Sequence, residues 1–511
     1  MPLNNESRTK NASKNVFSAF ANKALFMLLT FVRRRIFLEF IGIHYLGING
    51  LFVNILTLLS LADLGLGRAM NVSLYKPIAE NDTDRLSALL NYYKKLYHYI
   101  AMGVMGIGLA LMPVLKYIVN MDQDIPHLYL YYVLFVAKSA VSYLFAYKAS
   151  IVRADQKSYI INRLDIFVNL ARVLLQILVM VVFKKYLLYL LLEVAAVVGH
   201  NLIVSHVADK NYPFLKQKRL LGEAEKKHVF SEISSVFLYK LSWTLLNGSD
   251  NILISVMCGT VMVGLYSNYT TITSHLMEFV ALLFTSVTAG IGNLVATSSV
   301  EKRFKTFKSM QFVSFWVSGI VSVCLFYLTQ DFIRIWLGDE KYVLSGLTLT
   351  AIVLDNYLNC CMRPVWTFRE GTGMYRQIRY IMFTTALANI GLSILLGKFL
   401  SISGILFATS IARLSTYLWY EPRVLYNKFF DMPGRVFYLS NLKNFLLVLL
   451  CAGICWFPMT YIPWGQGLLA WLGKAAICLA VVNAVYFVRH RKSPEFLDVF
   501  ARVRRLFGGG Y

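Results

Sequence analysis

The sequence predicts an all-α polytopic membrane protein of about fourteen transmembrane helices, organised as two six-helix lobes with two further helices behind them. Three observations lead there. Long apolar stretches recur along the whole chain, 57% of its residues are hydrophobic against only 15% charged, and the positive charge is sorted into alternate gaps between the stretches. The apolar runs fall near 16–42, 48–72, 92–118, 126–150, 158–183, 186–207, 233–257, 264–292, 309–329, 343–366, 378–398, 402–424, 441–461 and 467–488. Each is about long enough to cross a hydrocarbon layer of roughly 30 Å as a helix rising roughly 1.5 Å per residue.

Lys and Arg crowd the even gaps. They hold Lys76, Arg85, Lys94 and Lys95, then Lys148, Arg153, Lys157 and Arg163, then Lys210, Lys216, Lys218, Arg219, Lys226 and Lys227. The same parity continues with Lys302, Arg303, Lys305 and Lys308, with Arg363, Arg369, Arg376 and Arg379, with Arg423, Lys428 and Arg435, and with the tail Arg489 to Arg505. The odd gaps hold little beyond Lys184, Lys185, Arg334, Lys341 and Lys398. By the positive-inside rule the even gaps and both termini are cytoplasmic. A net charge of +24 is then a topology signal facing anionic headgroups, and nucleic-acid binding is excluded as its explanation.

Seven cysteines, mostly within apolar runs, form no CxxC pair and stand near no histidine at ligand spacing, so neither a disulfide framework nor a metal site is expected. The polar stretch Met1 to Asn15 lacks a cleavable apolar segment, and the first span is expected to serve as an uncleaved insertion signal. The hydrophilic stretch from about Val207 to Ser231 divides six spans from eight. The expected domains are 1–210, a linker at 211–232, a second lobe at 233–430, two additional helices at 431–490 and a cytoplasmic tail at 491–511.

Internal duplication is expected from two echoes. Tyr45-Leu46-Gly47-Ile48-Asn49-Gly50 is answered by Met262-Val263-Gly264-Leu265-Tyr266-Ser267-Asn268, and Asp63-Leu64-Gly65-Leu66-Gly67 by Ala289-Gly290-Ile291-Gly292-Asn293. A six-span unit keeps its topology when repeated, so the lobes relate by an axis along the membrane normal. The alternative is that such glycine pairs occur wherever helices pack closely. In the tail, Phe496, Val499, Phe500, Val503 and Phe507 stand at helical spacing against Arg502, Arg504 and Arg505, the pattern of a short helix on the inner surface; a frayed solvated tail is the other reading.

Ionised groups in mid-bilayer cost roughly 2.5–3.5 kcal/mol each on insertion scales, so they face a wet cavity or a partner. Lys138, Arg172 and Arg413 fall near the middle of their spans, Arg33, Arg34 and Arg35 in the outer half of the first, Arg68 toward the inner end of the second, and Lys474 a third of the way into the last. The acids at comparable depth are Asp63, Glu193, Asp250, Glu278 and Asp355, with Glu39 near the outer surface. Successive residues turn by roughly 100°, so the three arginines cannot all face one cavity; at least one is expected to snorkel or to pair with Glu39. The basic residues outnumber the acids, and a cavity lined by Arg33, Arg34, Arg68, Lys138, Arg172 and Arg413 would attract an anion, which the arginine fork suits when it is phosphate. Asp63, Asp250, Glu278 and Asp355 are candidates for a coupling proton or sodium, with an arginine counter-ion role as the alternative.

Phe31-Val32-Arg33-Arg34-Arg35-Ile36-Phe37, Tyr45 to Phe52 and Leu59 to Gly67 resemble polysaccharide flippases of the Wzx type, as do Tyr75-Lys76-Pro77, Asp250 to Ser255, Val263 to Tyr269 and Gly292-Asn293. That family sits in the superfamily that also holds lipid II flippases and multidrug exporters of the MATE type. The resemblance implies two six-helix bundles in a V around a central cavity, alternating access, and an undecaprenyl-pyrophosphate-linked oligosaccharide carried from the inner to the outer leaflet of the bacterial inner membrane. It also implies that Arg33, following a Phe-Val pair, lines the cavity. The expected partners are this anionic lipid-linked oligosaccharide and membrane lipid, with a polysaccharide polymerase and export proteins as further candidates; no cofactor is expected. A cation-coupled multidrug exporter is the alternative transporter. A membrane polymerase or ligase is the alternative enzyme, disfavoured because the outer gaps are short and carry no paired acid and base.

Overall fold

The computed structural model describes residues 25–60, 66–120, 124–155 and 157–507, all in helices and short connections with no strand among them. The order is α1 (25–40), α2 (Ile43–Leu59), α3 (Leu66–Ala79), α4 (Thr83–Ala110), α5 (Leu115–Ile118), α6 (Leu128–Leu144), α7 (Ala146–Ala154), α8 (Ser158–Phe183) and α9 (Tyr186–Asn211). The second half holds α10 (Glu223–Gly248), α11 (Asp250–Cys258), α12 (Thr260–Thr297), α13 (Val300–Leu337), α14 (Gly346–Thr372), α15 (Arg379–Ser415) and α16 (Tyr417–Phe429). It ends with α17 (Arg435–Tyr461), α18 (Leu468–His490) and α19 (Pro494–Phe507). Over the described residues each apolar stretch falls on one helix or a broken pair, except that the eleventh and twelfth share α15, the twelfth running on into α16.

The described helices are less uniformly apolar than the stretches suggest. Eight are long and apolar enough to cross a membrane by length and composition, nine if α6 and α7, bent by 42°, count as one span. The remainder are shortened by breaks or carry polar residues inward. Within α15 the chain reverses at Ser401 (φ 53°, ψ −138°), and a β-carbon on Gly404 would lie 2.1 Å from the Leu396 carbonyl oxygen, so the eleventh and twelfth spans form one tight hairpin. The segment expected as a linker at 211–232 is helical from Glu223 onward. Its leading part is clasped to α4: Asn91 Nδ2 donates to the Gln217 carbonyl at 2.7 Å and Arg85 meets Glu225 at 2.7 Å.

Equivalent glycines open the second helix of each half. Gly42 (φ 100°) precedes α2 and Gly259 (φ 91°) precedes α12, both in a region that a β-carbon disfavours. Five residues on, Gly47 and Gly264 bring the two helices together: a β-carbon on Gly47 would lie 2.1 Å from Thr260 O, and one on Gly264 would lie 2.9 Å from Ile43 O. The two echoed motifs of the sequence therefore meet each other across the halves.

At that end one apolar core runs through both halves, joining Phe37, Leu51, Phe52, Tyr132 and Tyr186 to Ile254, Val263, Tyr269, Ile333 and Ile402. Hydrogen bonds seal it. Thr260 N and Oγ1 donate to the Asn120 carbonyl at 2.7 and 2.8 Å, and Ser255 Oγ to the Ile118 carbonyl at 2.7 Å. At the opposite end each half has its own core, around Tyr93, Tyr97 and Ile151 in the first and around Phe307, Phe368 and Tyr426 in the second. The halves thus share one core at one end and are built round different cores at the other, where the start of α10 reaches back to the first half through Val229. Gly47→Ala forces α2 from α12, an overpacking cost of roughly 1–3 kcal/mol. In a cysteine-free background, a cysteine introduced at Asn120 should then react faster with an impermeant thiol reagent from outside; unchanged reactivity would show that this contact does not hold that end shut.

The α17–α18 pair packs on α13 through Phe315, Val448, Cys451, Cys478, Val482 and Tyr486, and all seven cysteines are free thiols. The tail forms α19, which docks rather than fraying: Phe496 packs on Phe312, Trp316 and Phe487, and Ser309 Oγ donates to Asp498 Oδ2 at 2.8 Å.

Candidate functional site

The three consecutive arginines of α1 leave the helix in three directions, as a turn of about 100° per residue requires. Arg33 Nη1 donates to Gln176 Oε1 on α8 at 3.0 Å. Arg34 reaches across to the second half, donating from Nη1 to Ser267 Oγ at 3.0 Å and from Nη2 to Thr271 Oγ1 at 2.8 Å, both on α12. Arg35 is exposed, its Nη2 3.9 Å from the place of a β-carbon on Gly338 at the end of α13.

Around Arg33 the first lobe gathers charge that the sequence had placed on separate spans. Arg172 Nη1 lies 2.8 Å and Lys138 Nζ 3.6 Å from the same oxygen of Glu193. Gln176 Nε2 donates to the other Glu193 oxygen at 2.6 Å, so it links Arg33 to the carboxylate as well. Arg172 and Lys138 meet this carboxylate directly and Arg33 through Gln176, an excess of two positive charges, while Arg34 beside them is bonded to α12 of the other half. Neither Arg172 nor Lys138 is fully buried, with 22% and 23% of their side chains exposed, which leaves both able to meet a ligand. The aromatic rings of Tyr45, Tyr131, Tyr186 and Tyr189 pack together at the outer side of this cluster. Asp63 and the side chain of Arg68 lie outside the described residues.

The second lobe holds a different set. Arg413 is buried and meets Asp355 Oδ1 at 2.6 Å, while its Nη2 donates to Asn247 Oδ1 at 2.9 Å. Asn359 Nδ2 donates to the other Asp355 oxygen at 2.9 Å. Asp250, at the start of α11, has no ion pair among the described residues; Thr409 Oγ1 lies 3.3 and 3.4 Å from its oxygens, and Asn389 Nδ2 donates to that hydroxyl at 2.8 Å. All of these residues except Asn389 line a cavity of about 250 Å³ that also takes in Tyr266, Ser274 and Arg363. Glu278 is exposed on α12 and does not line it.

Sequence reasoning overlooked several members of these sites. Gln176, Ser267, Thr271, Asn247, Asn389 and Thr409 are neutral polar residues, abundant in any helix, and only their convergence marks them. Arg363 was read as part of a cytoplasmic gap, yet it lies within α14 and lines both the 250 Å³ cavity and a neighbouring one of about 390 Å³ with Trp366 and Tyr375. Arg369 likewise lies within α14, buried against Glu421. Among the described residues no cluster of three His, Cys, Asp or Glu could hold a metal ion.

Known structures share this architecture. The lipid II flippase MurJ in an inward closed conformation superposes with a TM-score of 0.66 at 15% identity, over 93% of this chain and 99% of that one. An inward-facing multidrug resistance MATE family transporter of the MOP superfamily gives 0.59 at 15% identity, over 82% of this chain and 96% of that one. A MOP superfamily transporter from Pyrococcus furiosus, described as having a binding pocket of reverse polarity, gives 0.53 at 15% identity, over 79% and 94%. At such identities these likenesses carry the fold alone. No curated protein matches the chain. A family model described as polysaccharide biosynthesis protein matches residues 12–289, more than half of the chain. With that match and the flippase motifs that fall within it, the chain is a transporter rather than an enzyme, and belongs to the polysaccharide biosynthesis protein family of Wzx-type flippases.

Proposed function

We propose that this protein carries an oligosaccharide linked through pyrophosphate to undecaprenol from the inner to the outer leaflet of a bacterial inner membrane, with both termini cytoplasmic. The observation that carries the reading is the cluster in which Lys138, Arg172 and, through Gln176, Arg33 share Glu193, beside the Arg34 bonds that cross to the other lobe. Pyrophosphate is the group such a cluster recognises, because guanidinium forks make paired, charge-assisted hydrogen bonds to it. The sugar then occupies the wet space between the lobes, the polyprenyl tail stays in lipid, and rocking of one lobe on the other exchanges access. A polysaccharide polymerase and export proteins are the partners that would take the product.

The test is reconstitution of the chain in vesicles with labelled undecaprenyl-pyrophosphate-linked oligosaccharide. Transfer of label between leaflets that depends on the protein is the expected result. An unchanged leaflet distribution, with normal polymer export in a strain lacking the protein, overturns the reading. A multidrug exporter of cations would work better once the repelling charges are removed, so improved export of cationic dyes by Arg33→Ala with Arg172→Ala would favour that reading, whereas loss of polysaccharide export is expected here.

Asp250 is the proposed site for a coupling proton or sodium, since it is a buried acid with no ion pair among the described residues. Asp355 already has Arg413 as counter-ion. Asp250→Asn is expected to bring the flipping rate down to that measured without an ion gradient and to abolish its response to imposed proton or sodium gradients. A response equal to that of the wild type would remove Asp250 from the coupling step.

A further inference from the structure

A second basic site lies far from the lobe interface, where the peripheral helices meet α13. A cavity of about 160 Å³ opens between α13, α17, α18 and the start of α19, lined by Lys308, Gln311, Lys443, Arg489, His490 and Glu495. It lies on the side where basic residues collect, the cytoplasmic side by the charge pattern. Lys308, Lys443 and Arg489 outnumber the single carboxylate of Glu495, and among the described residues none of the three makes an ion pair with it.

The wall of this cavity contains a donor with no acceptor among the described residues. Gln311 is 1% exposed, its Oε1 accepts from Lys308 Nζ at 3.4 Å, and its amide nitrogen is buried without a partner. A buried unsatisfied N–H costs about 1–3 kcal/mol, so its presence among cations points to an acceptor supplied from outside. The fourteen-residue helix α19 also begins here, with Ser493 Oγ capping the Phe496 N–H at 3.2 Å, and a helix N-terminus favours negative charge. Docking of α19 on α13 through Ser309 and Asp498 closes the fourth side of the cavity.

The space matches about five water volumes, room for one phosphate group. The same helices carry exposed apolar side chains, Leu446 and Leu450 on α17 and Phe487 and Val488 on α18, a surface that suits acyl chains. We propose that this cavity binds a phosphate anion of the cytoplasmic side, in which Lys308, Lys443 and Arg489 supply charge and the Gln311 amide supplies the buried hydrogen bond. The phosphate chemistry is common to a phospholipid headgroup and to a soluble phosphate, and the measurement separates the two.

The full chain in detergent is examined by native mass spectrometry with dioleoyl phosphatidylglycerol, dioleoyl phosphatidylcholine or inorganic phosphate as probe. Lys443→Ala with Arg489→Ala should lower the bound fraction roughly tenfold, and Gln311→Leu should lower it severalfold. Lys302→Ala with Lys305→Ala, exposed on the same side but outside the cavity, should leave it unchanged. Selective retention of phosphatidylglycerol that these cavity variants lose identifies a headgroup. Binding of inorganic phosphate lost in the same variants, without selectivity between the lipids, identifies a soluble source. Equal binding of every probe by the wild type, the cavity variants and the control pair overturns the proposal. The double variant removes only exposed side chains, so its folding is secure even if Gln311→Leu lowers stability.

Discussion

Glu421→Ala should lower the stability of the second lobe by about 3–5 kcal/mol, far more than Arg369→Ala at the other end of the same ion pair. Arg369 Nη1 lies 2.9 and 3.3 Å from the two Glu421 oxygens, with the side chains 4% and 0% exposed. The guanidinium also stands over the rings of Tyr239, Trp366 and Tyr375 at 5.0, 5.8 and 5.9 Å. A buried carboxylate that loses its partner escapes by taking up a proton, whereas an arginine stays charged under all conditions a protein survives. Truncating the acid therefore leaves the buried guanidinium only the longer contact to half-exposed Glu370 at 3.9 Å, whereas truncating the base leaves an acid that can go neutral. Replacing both, as Arg369→Met with Glu421→Leu, removes the buried charge and is expected to cost less than Glu421→Ala alone. Thermal unfolding of the purified chain in one detergent compares the three variants. Equal losses for Glu421→Ala and Arg369→Ala would show that the pair is wetter than its burial indicates.

That ion pair also marks the boundary of what the sequence discloses. The fourteen apolar stretches fall on helices because a chain in hydrocarbon must satisfy its backbone within each span, which leaves little choice of local structure. The divergence of Arg33, Arg34 and Arg35 was legible for a similar reason, being a property of any helix. Arg363 and Arg369 were not. A basic residue past the end of an apolar run reads as a topology signal whether the helix stops there or, like α14, continues to Thr372. The breaks between α6 and α7 and between α10 and α11 were equally hidden, because each falls inside one apolar run. The repeat was half legible. Its echoed motifs could be seen, but not that Gly42 and Gly259 share a positive φ or that Gly47 and Gly264 touch each other's helices. The first-lobe site was legible as charges and illegible as a cluster, since Gln176, which joins Arg33 to Glu193, carries no charge to draw the eye.

On the proposed reading, that cluster should respond to substitution with opposite signs at its base and acid positions. Each charge-assisted hydrogen bond to the cargo phosphate is worth about 1.5–3 kcal/mol, so Arg33→Ala or Arg172→Ala should weaken cargo binding by roughly ten- to a hundredfold. Neither leaves Glu193 bare, because Lys138 remains 3.6 Å away. Arg33→Lys and Arg172→Lys keep the charge but not the fork and should recover part of the loss. Arg34→Ala acts elsewhere: its bonds to Ser267 and Thr271 tie α1 to the other half, so turnover rather than cargo affinity should change. Glu193→Gln is the decisive variant. It keeps an oxygen for Arg172 and nearly the same shape, while removing the one negative charge that competes with the cargo for the cations. Cargo should bind more tightly and leave more slowly, giving a lower half-saturating concentration together with a lower maximal flipping rate. A scaffold role for these residues predicts instead that the arginine and glutamate variants fall in the same direction, with loss of protein rather than a shift in affinity. Flipping rates measured against cargo concentration in vesicles, alongside melting curves for each variant, separate a cluster that grips phosphate from one that only holds helices together.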